Sequence, residues 1–298
     1  MTESSLDRMV FQCVTWRESF ERDVGKVVCL TGRHRHARDS LFQSVLDRVR
    51  WGRANAQTIE MINNTWVNTF SGPVIRMRIK RSVVQAINEA KLQTIDSPVR
   101  SFEAQDVFNT RDGREVEEAL AALRSSVELS VTLKRSAAVI LTRKVQGVQP
   151  GTRGLVVEFT CQAINIGKES QMVETVVCDF NGVIVEVGRT RFSVFDGTGR
   201  EVAYCEQIPL ILGWAVTVHR AQGLTLEAVE IDFEVDTWTT CGLVYTALSR
   251  VRSFSALRVK GLRRELIQSS SSAAAYFEKK LEEDGIDPTD DGRPPRDG

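Results

Sequence analysis

The sequence predicts an α/β fold interrupted by an all-β insertion, and two patterns predict it. At both ends of the chain, short β-branched runs alternate with stretches whose apolar residues repeat at helical spacing. Between them, from Val127 onward, the runs VELSVTL, AAVILT, GLVVEF, ETVVCDF, GVIVEVG and RFSVF are broken by Gly, Pro and Asn turns. That rhythm is expected of a small β-barrel or meander, at about residues 146–204. With 298 residues, 42% of them hydrophobic, the chain is long enough to bury a core without disulfide staples.

Each element has its own justification. Residues 24–30 (VGKVVCL) form a β-branched run that suits a buried strand. After a basic turn, Asp39 is placed to cap a helix whose apolar positions Leu41, Phe42, Val45, Leu46 and Val49 follow helical spacing. Gly52 lies just past its basic end, where a helix stop belongs. A second helix is expected over 56–68, a strand over 75–79 and a third helix over 82–92. Beyond the insertion, 210–218 and 228–232 read as buried strands, 242–251 as a helix and 257–260 as a last strand. A serine run precedes a short helix over 273–283. Residues 284–298 then hold five Asp, three Gly and three Pro with almost nothing apolar, so a disordered tail is expected.

Composition excludes some functions. The 39 basic and 39 acidic residues cancel, so no global positive field draws the chain to phosphate, although a local basic groove is compatible with neutrality. No apolar run reaches the roughly 18 residues that a bilayer core demands, which argues against a membrane partner. The first twenty residues carry Glu3, Asp7 and Glu18 and no apolar signal core, so secretion is not expected. The six cysteines show no C-x-x-C pair and are expected to be reduced and mostly buried; no metal site is expected.

Three stretches carry chemistry: LTGRHRHARD at 30–39, WAVTVHRAQGLTLEAVEID at 214–232, and GLVYTALSRVRSFSALRV at 242–259. All three suit phosphate handling, because arginine presents a fixed fork of donors and loops of this kind gather outside the carboxyl ends of parallel strands. Each also has a plainer reading. An arginine-rich turn can simply be solvated, a histidine at a strand end can be a satisfied hydrogen-bonding residue, and Arg-Val-Arg can compensate a helix dipole.

In order and spacing, the three stretches resemble the second half of the Pif-type DNA helicases, relatives of the RecD motor in helicase superfamily one. Residues 214–232 resemble the family's motif V, and 242–259 its motif VI with the Ala-Leu-Ser-Arg core intact. Leu30, Thr31 and Arg35 fit motif IV, while Phe11, Gln12 and Trp16 resemble the segment leading into it. LKRSAAVILTRKV and GTRGLVVEF match the family's entry into its inserted β-barrel. The resemblance implies a lead-in segment (1–23) and a RecA-like second motor domain in two parts (24–145 and 205–265). An inserted β-barrel (146–204) would lie between those parts, with a helix and acidic tail (266–298) after them.

It also implies roles. Arg35 and Arg250 would reach the γ-phosphate of ATP across a domain cleft, Arg250 as an arginine finger. Thr217, His219, Gln222 and Gly223 would couple nucleotide to DNA, and Leu224, Thr225 and Asn88 would border single-stranded DNA. Phe192, Phe195, Trp214, Trp238 and Tyr245 are the aromatic candidates for base stacking, with core packing the commoner use of such residues. Gly32, Arg33 and His36 depart from the family pattern in motif IV, and Arg220-Ala221 stand where Lys-Ser is usual.

An ATP motor also needs a Gly-rich phosphate loop, and GxxxxGK[ST] does not occur here, nor does an Asp-Glu pair. Two motor domains with an insert take about 400 residues. The chain is therefore expected to be either a short helicase-like protein without its own motor or the C-terminal part of a longer 5′-to-3′ helicase. No cofactor is expected for the isolated chain; ATP and magnesium enter only where a partner supplies the phosphate loop. Three functions follow as expectations: a single-stranded DNA-binding protein assisting a complete helicase in DNA maintenance, a subunit lending arginines to a partner ATPase, or a protein-binding adaptor. The expected setting is nuclear or mitochondrial. Similarity to the divergent Pif-like proteins of kinetoplastids favours the mitochondrion.

Overall fold

A computed structural model describes residues 10–12, 16, 35–72, 74–166 and 169–283. The strand expected at 24–30 and the acidic tail lie outside them. Helix α1 (Ser40–Arg50) begins where Asp39 accepts a hydrogen bond from the Phe42 amide at 2.9 Å. It stops at Gly52, whose φ of +66° is the left-handed conformation of a helix end. Phe42, Val45, Leu46 and Val49 are buried, but Leu41 faces solvent. Helix α2 (Ala56–Asn63) continues only as a 3-10 turn to Val67. Strand β1 (Ile75–Arg78) and helix α3 (Arg81–Gln93) follow.

The antiparallel material starts earlier and ends later than 146–204. It comprises β2 (Arg100–Glu103), β3 (Gln105–Phe108), helix α4 (Gly113–Ser126), β4 (Ser130–Leu133), β5 (Ala138–Leu141), β6 (Arg153–Ile166), β7 (Glu169–Phe180), β8 (Val183–Val187), β9 (Thr190–Phe195), β10 (Glu201–Gln207) and β11 (Leu210–Leu212). The remaining elements are β12 (Ala215–Thr217), α5 (Val218–Ala221), β13 (Val229–Asp232), α6 (Leu243–Leu248), β14 (Leu257–Lys260) and α7 (Ser271–Glu283).

The α/β part is a four-stranded parallel sheet in the order β12-β1-β13-β14. Its core gathers the buried face of α1 with the strand residues Ile75, Met77, Val229, Ile231, Leu257 and Val259. Phe233 and Trp238 join the same core, their rings tilted against each other with centroids 4.3 Å apart. Parallel strands covered on both faces favour such runs of β-branched and aliphatic residues.

The closed barrel expected from 146–204 is not seen among the described residues. Strands β11-β5-β6-β7-β8 make one open sheet and β3-β10-β9 another. The two do not join, because the chain leaves β8 at Gly188 and β9 pairs with β10 instead. The Arg189 guanidinium secures that departure, donating to the Glu103 and Glu206 carbonyls at 2.7 and 3.0 Å. The single strand expected over 210–218 is likewise two strands in different sheets. Gly213 separates them, at a place where a Cβ would stand 3.0 Å from the Val139 backbone.

The loop leading into β6 is pinned against the other part of the fold. Gly151 has φ +92°, and a Cβ on it would lie 2.5 Å from the Thr225 carbonyl oxygen. Gly151→Ala should therefore lower the unfolding free energy by about 2 kcal/mol or more, combining positive-φ strain with a backbone clash. Urea denaturation followed by circular dichroism checks this, and an unchanged midpoint would contradict the close approach.

Candidate nucleotide and nucleic-acid interface

Thr217 is the last residue of β12 and caps α5, its hydroxyl accepting from the Arg220 amide at 3.3 Å. The chain must then return to the opposite edge of the sheet to begin β13. Gly223, at φ +86°, makes the turn that allows it. His219, Gln222 and Gly223 are exposed along this return, Thr225 is half-buried and Leu224 is buried. On arrival, the Leu226 amide donates to the Arg250 carbonyl at 2.8 Å.

Arg250 follows the short helix α6 and is only 8% exposed. Its Nε donates to the Thr246 carbonyl at 2.7 Å and its Nη2 to the Ser249 hydroxyl at 2.8 Å. Nη1 reaches the Ala221 and Leu224 carbonyls at the longer distances of 3.4 and 3.5 Å. Arg35 Nη1 donates to the Ser249 carbonyl at 3.0 Å, so both arginines hold the same residue. Burial pushes the Arg250 guanidinium below its ordinary pKa, and the charge of Arg35 adds to the effect. Two converging guanidiniums, one of them buried, make a site that favours an anion.

Asn55, Asp39 and other caps shape the helices, but Asn88 has a different task. Its Nδ2 donates to the Ala215 carbonyl at 3.0 Å and its Oδ1 accepts from the Ala215 amide at 2.9 Å. Both ends of the amide are thus used to hold the edge strand β12, leaving the side chain 8% exposed.

These residues lie at two places. Asn88 and Thr217 line a cavity of about 450 Å³ near the carboxyl ends of β1 and β12, together with Arg81, Glu128 and Arg220. There Glu128 bridges Arg220 at 3.0 Å and Arg81 at 2.5 Å. Gly223 and Thr225 line a second groove, of about 670 Å³, with Phe70, Pro150, Arg252 and Ser253. That groove lies at the amino ends of the strands, since its walls directly precede β1, β13 and β14. Arg35 and Arg250 are adjacent to this second edge, not the carboxyl edge where ligand loops were expected.

Phe70 was not singled out by sequence reasoning. It lies in a polar, Gly-containing stretch with no motif around it, and only the groove reveals it. Among the aromatic candidates, Trp238 is 1% exposed and belongs to the core, Phe192 is also buried, and Trp214 and Tyr245 are half-buried. Phe195 is open to solvent but lies on β9. Cys178 and Cys205 are buried, their thiols pushed up to about 12 and about 11 by burial, while Cys161 and Cys241 are exposed. The described residues contain no cluster of three or more metal-ligating side chains, and no described helix is long and apolar enough to cross a membrane.

Comparison with known proteins adds a second line of support. The chain is 31% identical over 258 residues to the human ATP-dependent DNA helicase PIF1, a match covering 85% of this chain and 37% of that protein. It is 27% identical over 280 residues to PIF6 of Trypanosoma brucei brucei, covering 91% and 33%. The chain belongs to the Pif-type helicase family. It spans about two-fifths of the length of the curated Pif relatives it matches. Among solved structures, Pif1 helicase from Candida albicans superposes with a TM-score of 0.59 at 21% identity, covering 90% of this chain and 63% of that one. Pif1 from Bacteroides, in complex with ADP-AlF3 and single-stranded DNA, gives 0.54 at 22% identity, covering 88% and 58%. No protein-family model matches the chain.

His36 supplies a pH test of the arginine site. Its ring donates from Nε2 to the Val251 carbonyl at 3.0 Å and meets Phe42 edge-on. Burial holds its pKa below the ordinary 6.5, and Arg35 and Arg250 add to that, against the opposing pull of the Val251 bond. Between the lowered value and about 6.5, the unfolded chain binds the proton more readily than the folded one. Stability should therefore fall as pH falls below about 6.5, and His36→Gln should flatten that dependence in urea denaturation at several pH values. Asn88→Leu should cost about 2–4 kcal/mol, because two buried backbone groups of Ala215 lose their partners. Calorimetry against the unchanged protein measures it.

Proposed function

We propose that this Pif-type chain binds single-stranded DNA in the groove beside Gly223 and Thr225, with Arg252 meeting phosphate and a base stacking on the Phe70 ring, against which the Arg258 guanidinium already lies at 5.0 Å. The reading gives it a DNA-maintenance role in which these 298 residues need a phosphate loop from elsewhere for ATP hydrolysis, since they hold neither GxxxxGK[ST] nor an Asp-Glu pair. Gln222, Leu224 and Thr225 belong to the stretch between this groove and Arg250, while His219 stands exposed on α5 just before it. Asn88 and Thr217 serve it indirectly, by holding β12 and starting α5.

The observation that carries the reading is the joint between groove and arginines. Arg250 is bonded to the chain on both sides of Gly223, and Thr225 is flanked by Leu224 and Leu226, which both meet Arg250. A phosphate that drew the guanidinium away would compete with the two long carbonyl contacts first. Any such phosphate would come from a nucleotide held by a phosphate loop outside these 298 residues, in a partner or in a longer form of the chain. On this reading ATP and magnesium enter with that phosphate loop.

Fluorescence anisotropy of a labelled oligo-dT, titrated with the chain at two salt concentrations, tests DNA binding. With one or two phosphate contacts, affinity should fall about 2–10-fold between roughly 50 and 200 mM salt. Arg252→Ala should weaken binding and reduce the salt slope. No binding at either salt would sink the reading. A second reading, in which Arg35 and Arg250 act on a partner's ATP, is favoured by their shared hold on Ser249; unchanged partner turnover with Arg250→Ala would count against it.

A further inference from the structure

The C-terminal helix α7 makes contacts that DNA or phosphate binding does not use. The Tyr276 ring stacks on Phe11 with centroids 4.3 Å apart and planes at 14°. Its hydroxyl accepts from the Trp16 indole N–H at 3.0 Å. One residue on, Phe277 packs against Trp51 at 5.5 Å and against the Arg50 guanidinium at 5.4 Å. Arg50 also lies 6.0 Å from the Tyr245 ring of α6. Glu278 then pairs with Arg53 at 3.2 Å.

Helix α7 and the arginine it packs against therefore connect three regions distant in sequence. These are the N-terminal residues Phe11 and Trp16, the end of α1, and α6. The connection into α7 is tied down as well, since the Gly242 amide donates to the Gln268 carbonyl at 2.9 Å and Arg264 donates to the Gly52 carbonyl at 2.5 Å. Arg35 lies in the turn before α1, and Arg250 lies just past α6.

We propose that α7 is a reversible clasp, with Tyr276 as its catch, that closes Phe11 and Trp16 onto the helices flanking Arg35 and Arg250. Two features make it reversible. A helix of 13 residues has little stability alone, so its order depends on docking. The docking is shallow: among the residues of α7 only Leu281 is fully buried, and the Arg53–Glu278 pair keeps 28% and 22% of its side-chain surface exposed. Contacts of this kind open locally well before the sheet does. Removing the Tyr276 ring would take away the stack on Phe11 and the acceptor of the Trp16 indole while leaving the parallel sheet intact.

Hydrogen–deuterium exchange of the full chain, without DNA or nucleotide, tests the clasp independently of the DNA reading. In Tyr276→Ala, peptides covering 10–16 and 271–283 should exchange about tenfold faster, with those covering β1, β12 and β13 unchanged. Tyr276→Phe keeps the stack and should give a smaller change. Arg53→Glu and Glu278→Arg should each accelerate exchange in α7, and the double variant should recover part of the protection, since Arg53 also lies 5.9 Å from the Trp51 ring. Unchanged exchange at 10–16 in Tyr276→Ala would overturn the clasp. So would loss of protection throughout the sheet in Tyr276→Phe or the charge variants, which would make α7 part of the core.

Discussion

A guanidinium that is nearly removed from water has to give its hydrogen bonds to the protein, and Arg250 gives them to two separate stretches of chain. Its Nε and Nη2 are held by Thr246 and Ser249 on its own side, and its Nη1 leans on Ala221 and Leu224 across the gap. An unpaired buried charge costs several kcal/mol, so the two stretches are constrained together. The Leu226 amide on the Arg250 carbonyl repeats the connection through the backbone. With that junction set, Gly223 has to turn at positive φ, and Thr225 is presented to the glycine that brings in the antiparallel part.

The same junction explains why the chemistry lies at two edges of the sheet. The chain leaves β12 at the carboxyl edge and must reach the amino edge before β13, because both strands run parallel in one sheet. Residues 217–226 make that crossing with only α5 along the way. Asn88 holds the departing end by both hydrogen bonds to Ala215, and Arg250 holds the arriving end. A charge cluster accompanies each: Arg81, Glu128 and Arg220 at one edge, Arg35 and Arg250 at the other.

Much of the α/β part was legible because its signals are local. Asp39 and Gly52 bracket α1 with side-chain and φ requirements that any structure must meet, and the hydrophobic spacing between them agrees. The antiparallel part was legible only as strands. Pairing partners depend on where the chain turns between sheets, and the small residues at Gly188 and Gly213 give no sign of which sheet comes next. Helix α4 was missed: it opens with Asp112-Gly113, which reads as a turn, yet Asp112 caps the Arg114 and Glu115 amides at 2.9 and 3.1 Å. Strands β2 and β3 are four residues each and carry little alternation to detect. At the site, motif residues were found one by one, but their division between two edges depends on tertiary hydrogen bonds. Nothing in the run around Asn88 shows that its amide is already spent on Ala215.

Overall neutrality also acquires a specific meaning. The chain has no net field to recruit DNA, so an interaction in the Thr225 groove has to rest on short-range contacts. Arg252 supplies a positive charge there, but Glu227 lines the same groove and opposes it. The large salt slope of a protein with many phosphate contacts is therefore not expected, because the slope counts neutralised phosphates. Stacking on Phe70 and backbone contacts around Gly223 would have to contribute what charge does not. On the proposed reading, the groove would hold a strand by shape and stacking, and the buried Arg250 would connect that groove to Arg35 instead of drawing DNA from a distance.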